Sequence, residues 1–151
     1  MIEIRERFDV QAAPDKVWAI LSDPYAVVGC VPGASITGQE PDGSLDANVG
    51  VKFGPTRVAF KVKANLELDE AARTGQISAQ GRDGIGGTRM KSTATFGVTP
   101  GPGQTGTSVA IDGSVDVSGR LASLIEGGAS LVVKRMSAEF AERLAARCSE
   151  A

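Results

Sequence analysis

Histidine is absent from this 151-residue chain. That removes the usual general base for a serine or cysteine nucleophile, and the commonest side-chain ligand for transition metals. Cysteine is scarce as well. Cys30 and Cys148 supply neither a disulfide framework nor a metal site, and read as free thiols of a reducing compartment. Aromatic residues are few, with five Phe, one Trp and one Tyr, so little bulk is available to fill an interior. No apolar run approaches the ~20 residues of a membrane span, and no basic segment followed by an apolar one opens the chain, so no signal peptide is expected. Nor is there an excess of positive charge: 16 basic against 18 acidic residues give a net charge of −2, which argues against a dedicated nucleic-acid binder. What remains is the composition of a soluble globular protein, 42% hydrophobic and 23% charged. One domain over residues 1–151, located in the cytoplasm, is the expectation.

Hydrophobic periodicity supplies the architecture. Ile2, Ile4, Phe8 and Val10 alternate with polar residues, with Glu6 in the same phase, and read as a half-buried strand. Pro14 opens a helix whose apolar face is Val17, Trp18, Ile20 and Leu21, and Asp23-Pro24 stops it. A short helical turn over 25–28 precedes a Val31-Pro32-Gly33 corner. From Ala34 to Val117 the pattern is strand and turn. Its strongest stretch sets Val58, Phe60, Val62, Ala64, Leu66 and Leu68 against Arg57, Lys61, Lys63, Asn65 and Glu67. After Gly119 the period changes to three and four residues, through Leu121, Leu124, Ile125, Gly128, Val132, Met136, Phe140 and Leu144, which predicts a long amphipathic helix to about Ala146. The expected fold is α+β: a curved seven-stranded antiparallel sheet around a long C-terminal helix, with two short helices after the first strand.

That order resembles the helix-grip fold of the START and Bet v 1-like (SRPBCC) superfamily. Three stretches narrow the resemblance. DPYAVVGCVPGASI at 23–36, VKFGPTRVAFKVKANLELDE at 51–70 and GSVDVSGRLASLIEGGASLVVKRMSAEFAERL at 113–144 are similar to segments of the CoxG-like family of carbon monoxide dehydrogenase subunits. The resemblance implies a non-catalytic accessory protein of a molybdenum-containing carbon monoxide dehydrogenase or related hydroxylase. It further implies coupling of that enzyme to the membrane quinone pool, with peripheral contact at the inner face of the cell membrane. Many members carry a tail beyond the long helix, whereas this sequence stops at Ala151.

The residues themselves suggest a hydrophobic cavity. Val49, Val51, Phe60, Val62, Met90, Phe96, Val109 and Ile111 of the strands are expected to face Leu124, Gly128, Val132 and Met136 of the helix, with Val28 and Val31 at the rim. An ordinary core would use the same residues. Inward positions are often small, however (Ala47, Ala64, Ala79, Ser92, Ala94, Gly113), and so sparse a filling falls short of a normal packing density of ~0.75. A bound apolar molecule would occupy such a space. Gly127-Gly128 inside the helix costs roughly 1 kcal/mol per glycine against alanine, which either a close contact or a ligand beneath the helix would offset. Tyr25, Cys30, Pro32 and Gly33 are placed at the cavity mouth. The glycine-rich segment 81–87 lacks the following helix of a phosphate loop and reads as a hairpin. Arg57, Lys61, Lys63, Arg89 and Lys91 share outward faces, as a solvated sheet surface or as a contact for anionic lipid or an acidic partner.

Two classes of function follow. One is a carrier with no covalently bound cofactor, whose ligand is an isoprenoid quinone, menaquinone or ubiquinone. The other is a small-molecule enzyme of the same fold, a cyclase or hydrolase, which would require inward ionisable groups; a purely docking role is a further alternative. Inward strand positions are apolar or small, with Glu6 and Ser92 the exceptions, and this favours binding.

Overall fold

The computed structural model describes residues 2–53, 55–84 and 87–149, with the backbone alone at Gln104. Gly54, Ile85 and Gly86, which the sequence pattern assigns to turns, lie outside the described residues. The elements in chain order are β1 (Ile2–Val10), α1 (Pro14–Leu21), α2 (Pro24–Val28), β2 (Ala34–Gln39), β3 (Leu45–Phe53), β4 (Thr56–Asp69), β5 (Thr74–Asp83), β6 (Thr88–Pro100), a 3-10 turn (Pro102–Gln104), β7 (Thr107–Gly119) and α3 (Ala122–Ser149). All seven strands join one sheet in the order β1-β7-β6-β5-β4-β3-β2. Every neighbouring pair is antiparallel. The fold is the expected one, although α3 runs to Ser149 rather than ending near Ala146.

Local chemistry fixes the turns. The Asp23 carboxylate accepts from the N–H groups of Tyr25 and Ala26 and caps α2, whose first helical residue is Pro24. Asp42 accepts from both the backbone N–H and the hydroxyl of Ser44 (3.0 and 2.6 Å), and these bonds lower its carboxyl pKa. At the head of α3 the Leu121 N–H donates to the buried Thr88 hydroxyl (3.0 Å). Buried Thr107 donates to the Ala12 carbonyl (2.6 Å) and so ties β7 to the entrance of α1.

Two apolar cores form on the inner face of the sheet. The first gathers Val10, Val17, Trp18, Leu21, Cys30, Phe96, Val98, Val109, Leu144 and Cys148, where α1 and the end of α3 meet the sheet. The second gathers Phe53, Val58, Phe60, Val62, Ile125 and Val132 beneath the first half of α3. Helix α1 is also pinned to the β4–β5 turn, once by a residue of the first core and once at the surface. Trp18 Nε1 donates to Glu70 (2.7 Å), and Asp15 pairs with Arg73.

Candidate functional site: an apolar cavity between two cores

Small residues separate the two cores along the strands. On β4 the inward series Val58, Phe60, Val62 belongs to the second core, but the next two inward residues, Ala64 and Leu66, line a cavity. On β6, Met90 packs against the second core and Phe96 and Val98 belong to the first, while Ala94 between them faces the cavity. Alanine at Ala47, Ala64 and Ala94 leaves the space that larger side chains would fill. The cavity measures about 240 Å³. Leu21, Val27, Val28 and Val31 close it from the α1–α2 side, Ile36 and Leu45 from the edge strands, and Phe140 from α3.

No ionisable side chain lines this space among the described residues. Asn65 and Thr95 contribute to its wall from the outward, exposed phase of their strands, so their polar ends point to solvent. Such a wall cannot deliver a proton or a nucleophile to a buried molecule. It can hold apolar matter. The volume is below the ~300–1,000 Å³ of a typical whole-ligand pocket, so a long ligand would place only one portion there.

One aromatic wall is built by a glycine. Gly75 lies opposite Phe96 on the neighbouring strand, and a Cβ at Gly75 would fall 2.2 Å from the Phe96 ring. The far end of the ring therefore occupies the space over Gly75 on β5, and the Trp18 ring stands 6.1 Å from it between centroids. Glu70, through the Trp18 indole, thus helps to set the position of the cavity wall.

Of the residues expected from sequence, Val28, Val31, Phe96 and Ile111 line the cavity. The others lie elsewhere. Phe60, Val62 and Val132 are buried in the second core, with Val49, Val51, Met90 and Met136 packed against it. Val109 is enclosed in the first core. Leu124 is 39% exposed on the solvent side of α3, because the helix turns Ile125 rather than its neighbour towards the sheet. Gly128 faces Phe53, whose Cδ1 would stand 3.2 Å from an added Cβ, so the glycine admits a ring of the core, not a ligand. Gly127 has open space around it.

The expected mouth is likewise dispersed. Tyr25 is 57% exposed, and Cys30 is fully buried in the first core. Burial pushes the Cys30 thiol pKa up, with Arg147 opposing and Cys148 adding to the rise. Gly33 has φ +78° and a Cβ there would meet the Gly50 carbonyl at 2.2 Å, so the corner is stapled against β3 for structural reasons. Pro32 is half-buried but does not line the cavity. Glu6, in phase with the inner face, sits by Ala129, Ser130 and Lys134 of α3 and not at the cavity. Leu21, Leu45, Leu66, Ile77 and Phe140 line the cavity although the sequence pattern marks them only as apolar-face residues and not as cavity lining; the inward phase of each is the signal available for them.

The family model for CoxG, a carbon monoxide dehydrogenase subunit, matches residues 7–149. The chain belongs to the CoxG family. No curated protein sequence matches it. Among solved structures, a conserved protein from Geobacillus kaustophilus superposes with a TM-score of 0.82 at 15% identity, covering 98% of this chain and 95% of that one. The Zhui aromatase/cyclase from Streptomyces sp. R1128 gives 0.62 at 15% identity, covering 97% and 93%. A START superfamily protein from Mycobacterium smegmatis gives 0.60 at 17% identity, covering 94% and 96%. These likenesses establish a START-like fold for this CoxG-family chain. No helix among the described residues is long and apolar enough to cross a membrane, and no group of described His, Cys, Asp or Glu residues is arranged to hold a metal ion.

Proposed function

We propose that this CoxG-family protein is a non-catalytic carrier that binds an isoprenoid quinone, menaquinone or ubiquinone. In this reading it couples a molybdenum-containing carbon monoxide dehydrogenase, or a related hydroxylase, to the quinone pool through peripheral contact with the membrane. Family and fold point to a ligand-binding accessory protein of carbon monoxide dehydrogenase. The observation that carries the quinone reading is the cavity: lined by apolar side chains on its inward positions, without an acid or base among the described residues, between two apolar cores. Its chemistry also orients the ligand. Quinone carbonyls buried without donors would cost roughly 1–3 kcal/mol each, so the isoprenoid chain enters the cavity and the ring stays at the α2 side, near water.

The test is native mass spectrometry with organic extraction of the purified protein, followed by titration with a short-chain quinone. A stoichiometric prenyl quinone, or saturable binding that disappears when Ala64→Leu and Ala94→Leu fill the cavity, is the expected result. No extractable lipid together with no quinone binding overturns it.

A further inference from the structure

The outer face of the sheet carries a charge pattern that the cavity does not use. Its residues can be read in rows running across the strands. One row is Asp46, Lys63, Gln80, Lys91 and Asp116, in which each lysine lies directly opposite an aspartate. Lys63 also sits in the field of Glu40 and Asp42. The row two residues away is Asn48, Lys61, Arg82, Arg89 and Ser118. Here three cations stand on consecutive strands with no acid among them. Towards the opposite end of the face the rows become neutral (Asn65, Ser78, Thr93, Ser114) and then carry Glu67 and Asp112.

Like charges directly opposite one another destabilise a sheet, and Lys61 faces Arg82, which faces Arg89. All three are exposed. The ion pairs among the described residues use Arg5, Arg7, Arg73 and Arg143, and none relieves this row. The row also runs against the sign of the whole chain, which is −2. It lies in a surface depression of about 960 Å³. The charge-balanced row lines the same depression, so Lys63 and Lys91 stand there with Asp46 and Asp116, beside the neutral hydrogen-bonding groups of Asn48, Gln80 and Ser118.

We propose that Lys61, Arg82 and Arg89 form a binding site for a multiply phosphorylated small molecule, separate from the apolar cavity. Strands about 4.8 Å apart spread the three side chains across roughly 10 Å, a span that suits two or three linked phosphates. The guanidinium forks of Arg82 and Arg89 match phosphate oxygens in pairs, with Lys61 as a point charge beside them. The depression is open to solvent, and no aromatic residue lines it among the described residues. An anionic membrane surface is drawn to broad basic patches, whereas this row is three cations wide with Asp46 and Asp116 in the same depression, which suits a compact free ligand better than a sheet of headgroups.

The experiment is calorimetric titration of the full chain with sodium tripolyphosphate, at low and at physiological ionic strength. The variants are R82Q/R89Q and a control of equal net charge, R5Q/K134Q, whose residues lie away from the depression. Saturable binding should weaken at least about tenfold in R82Q/R89Q, as expected when bidentate charge-assisted contacts are lost, and stay essentially unchanged in the control. The free R82Q/R89Q variant should melt no lower than the parent, because a repulsion has been removed, so lost binding is not lost folding. The proposal fails if tripolyphosphate does not bind, if both variants weaken binding equally, or if only phosphatidylglycerol vesicles bind.

Discussion

At the scale of single residues, two contacts set the aromatic wall of the cavity. Gly75 gives Phe96 its place, so Gly75→Ala drives a methyl group into the ring. Overpacking of this kind typically costs about 1–3 kcal/mol, which urea denaturation will register. The displaced ring has the cavity as its free side, so quinone affinity should fall in the same variant. Trp18→Phe keeps the apolar packing but removes the indole donor to Glu70. The loss should be about 1 kcal/mol, again read from denaturation midpoints. The two thiols make stability sensitive to alkali. Burial raises the pKa of both Cys30 and Cys148 from an ordinary 9.0. The unfolded chain therefore releases these protons first as the pH climbs through about 9. Stability is independent of them below that point and falls above it, towards their folded values. In a Cys30→Ala/Cys148→Ala variant the denaturation midpoint should decline less steeply over the same alkaline range.

At the scale of elements, α3 shows how one helix meets two demands. Its first half is pressed against the second core through Ile125 and Val132, and its last turns close the first core through Leu144 and Cys148. Adjacent glycines on it respond in opposite directions. Gly127 is exposed with nothing near it, so Gly127→Ala should stabilise the protein by roughly 0.5–1 kcal/mol through helix propensity alone. Gly128→Trp should destabilise it by collision with Phe53 while leaving the cavity lining intact. A thermal melt paired with quinone titration separates the two effects. Helix α2 is different. It has five residues and none is fully buried, although Pro24, Val27 and Val28 line the cavity.

At the scale of the whole molecule, the sheet divides two chemistries between its faces. The inner face carries the apolar cavity and both cores, and the outer face carries the uncompensated cationic row. Ligands of opposite character should therefore bind without excluding one another. Saturating tripolyphosphate is expected to leave quinone affinity unchanged within about twofold, because the two sites draw their side chains from opposite faces of the sheet and have only Ala47 in common. Competition between them in a binding assay would show that the faces are coupled.

The amino-acid sequence by itself determined the strands, the helices and their order. Alternation of period two in β4 and spacing of three and four in α3 are backbone geometry written directly into side-chain type. It also determined the inner and outer phase of each strand, and hence that inward positions such as Ala64 and Ala94 are small. Only the tertiary structure decided where along the inner face the void falls. Phase tells which side of a sheet a residue takes, but not which stretch of a helix presses upon it. Val62 and Ala64 share one phase, yet α3 covers the first and leaves the second beside open space. Gly128 was ambiguous for the same reason: its neighbour is Phe53, 75 residues away in the chain (128 − 53), and no local pattern announces that contact. The cationic row depended on register too, since Lys61, Arg82 and Arg89 become neighbours only when three strands pair in one particular alignment.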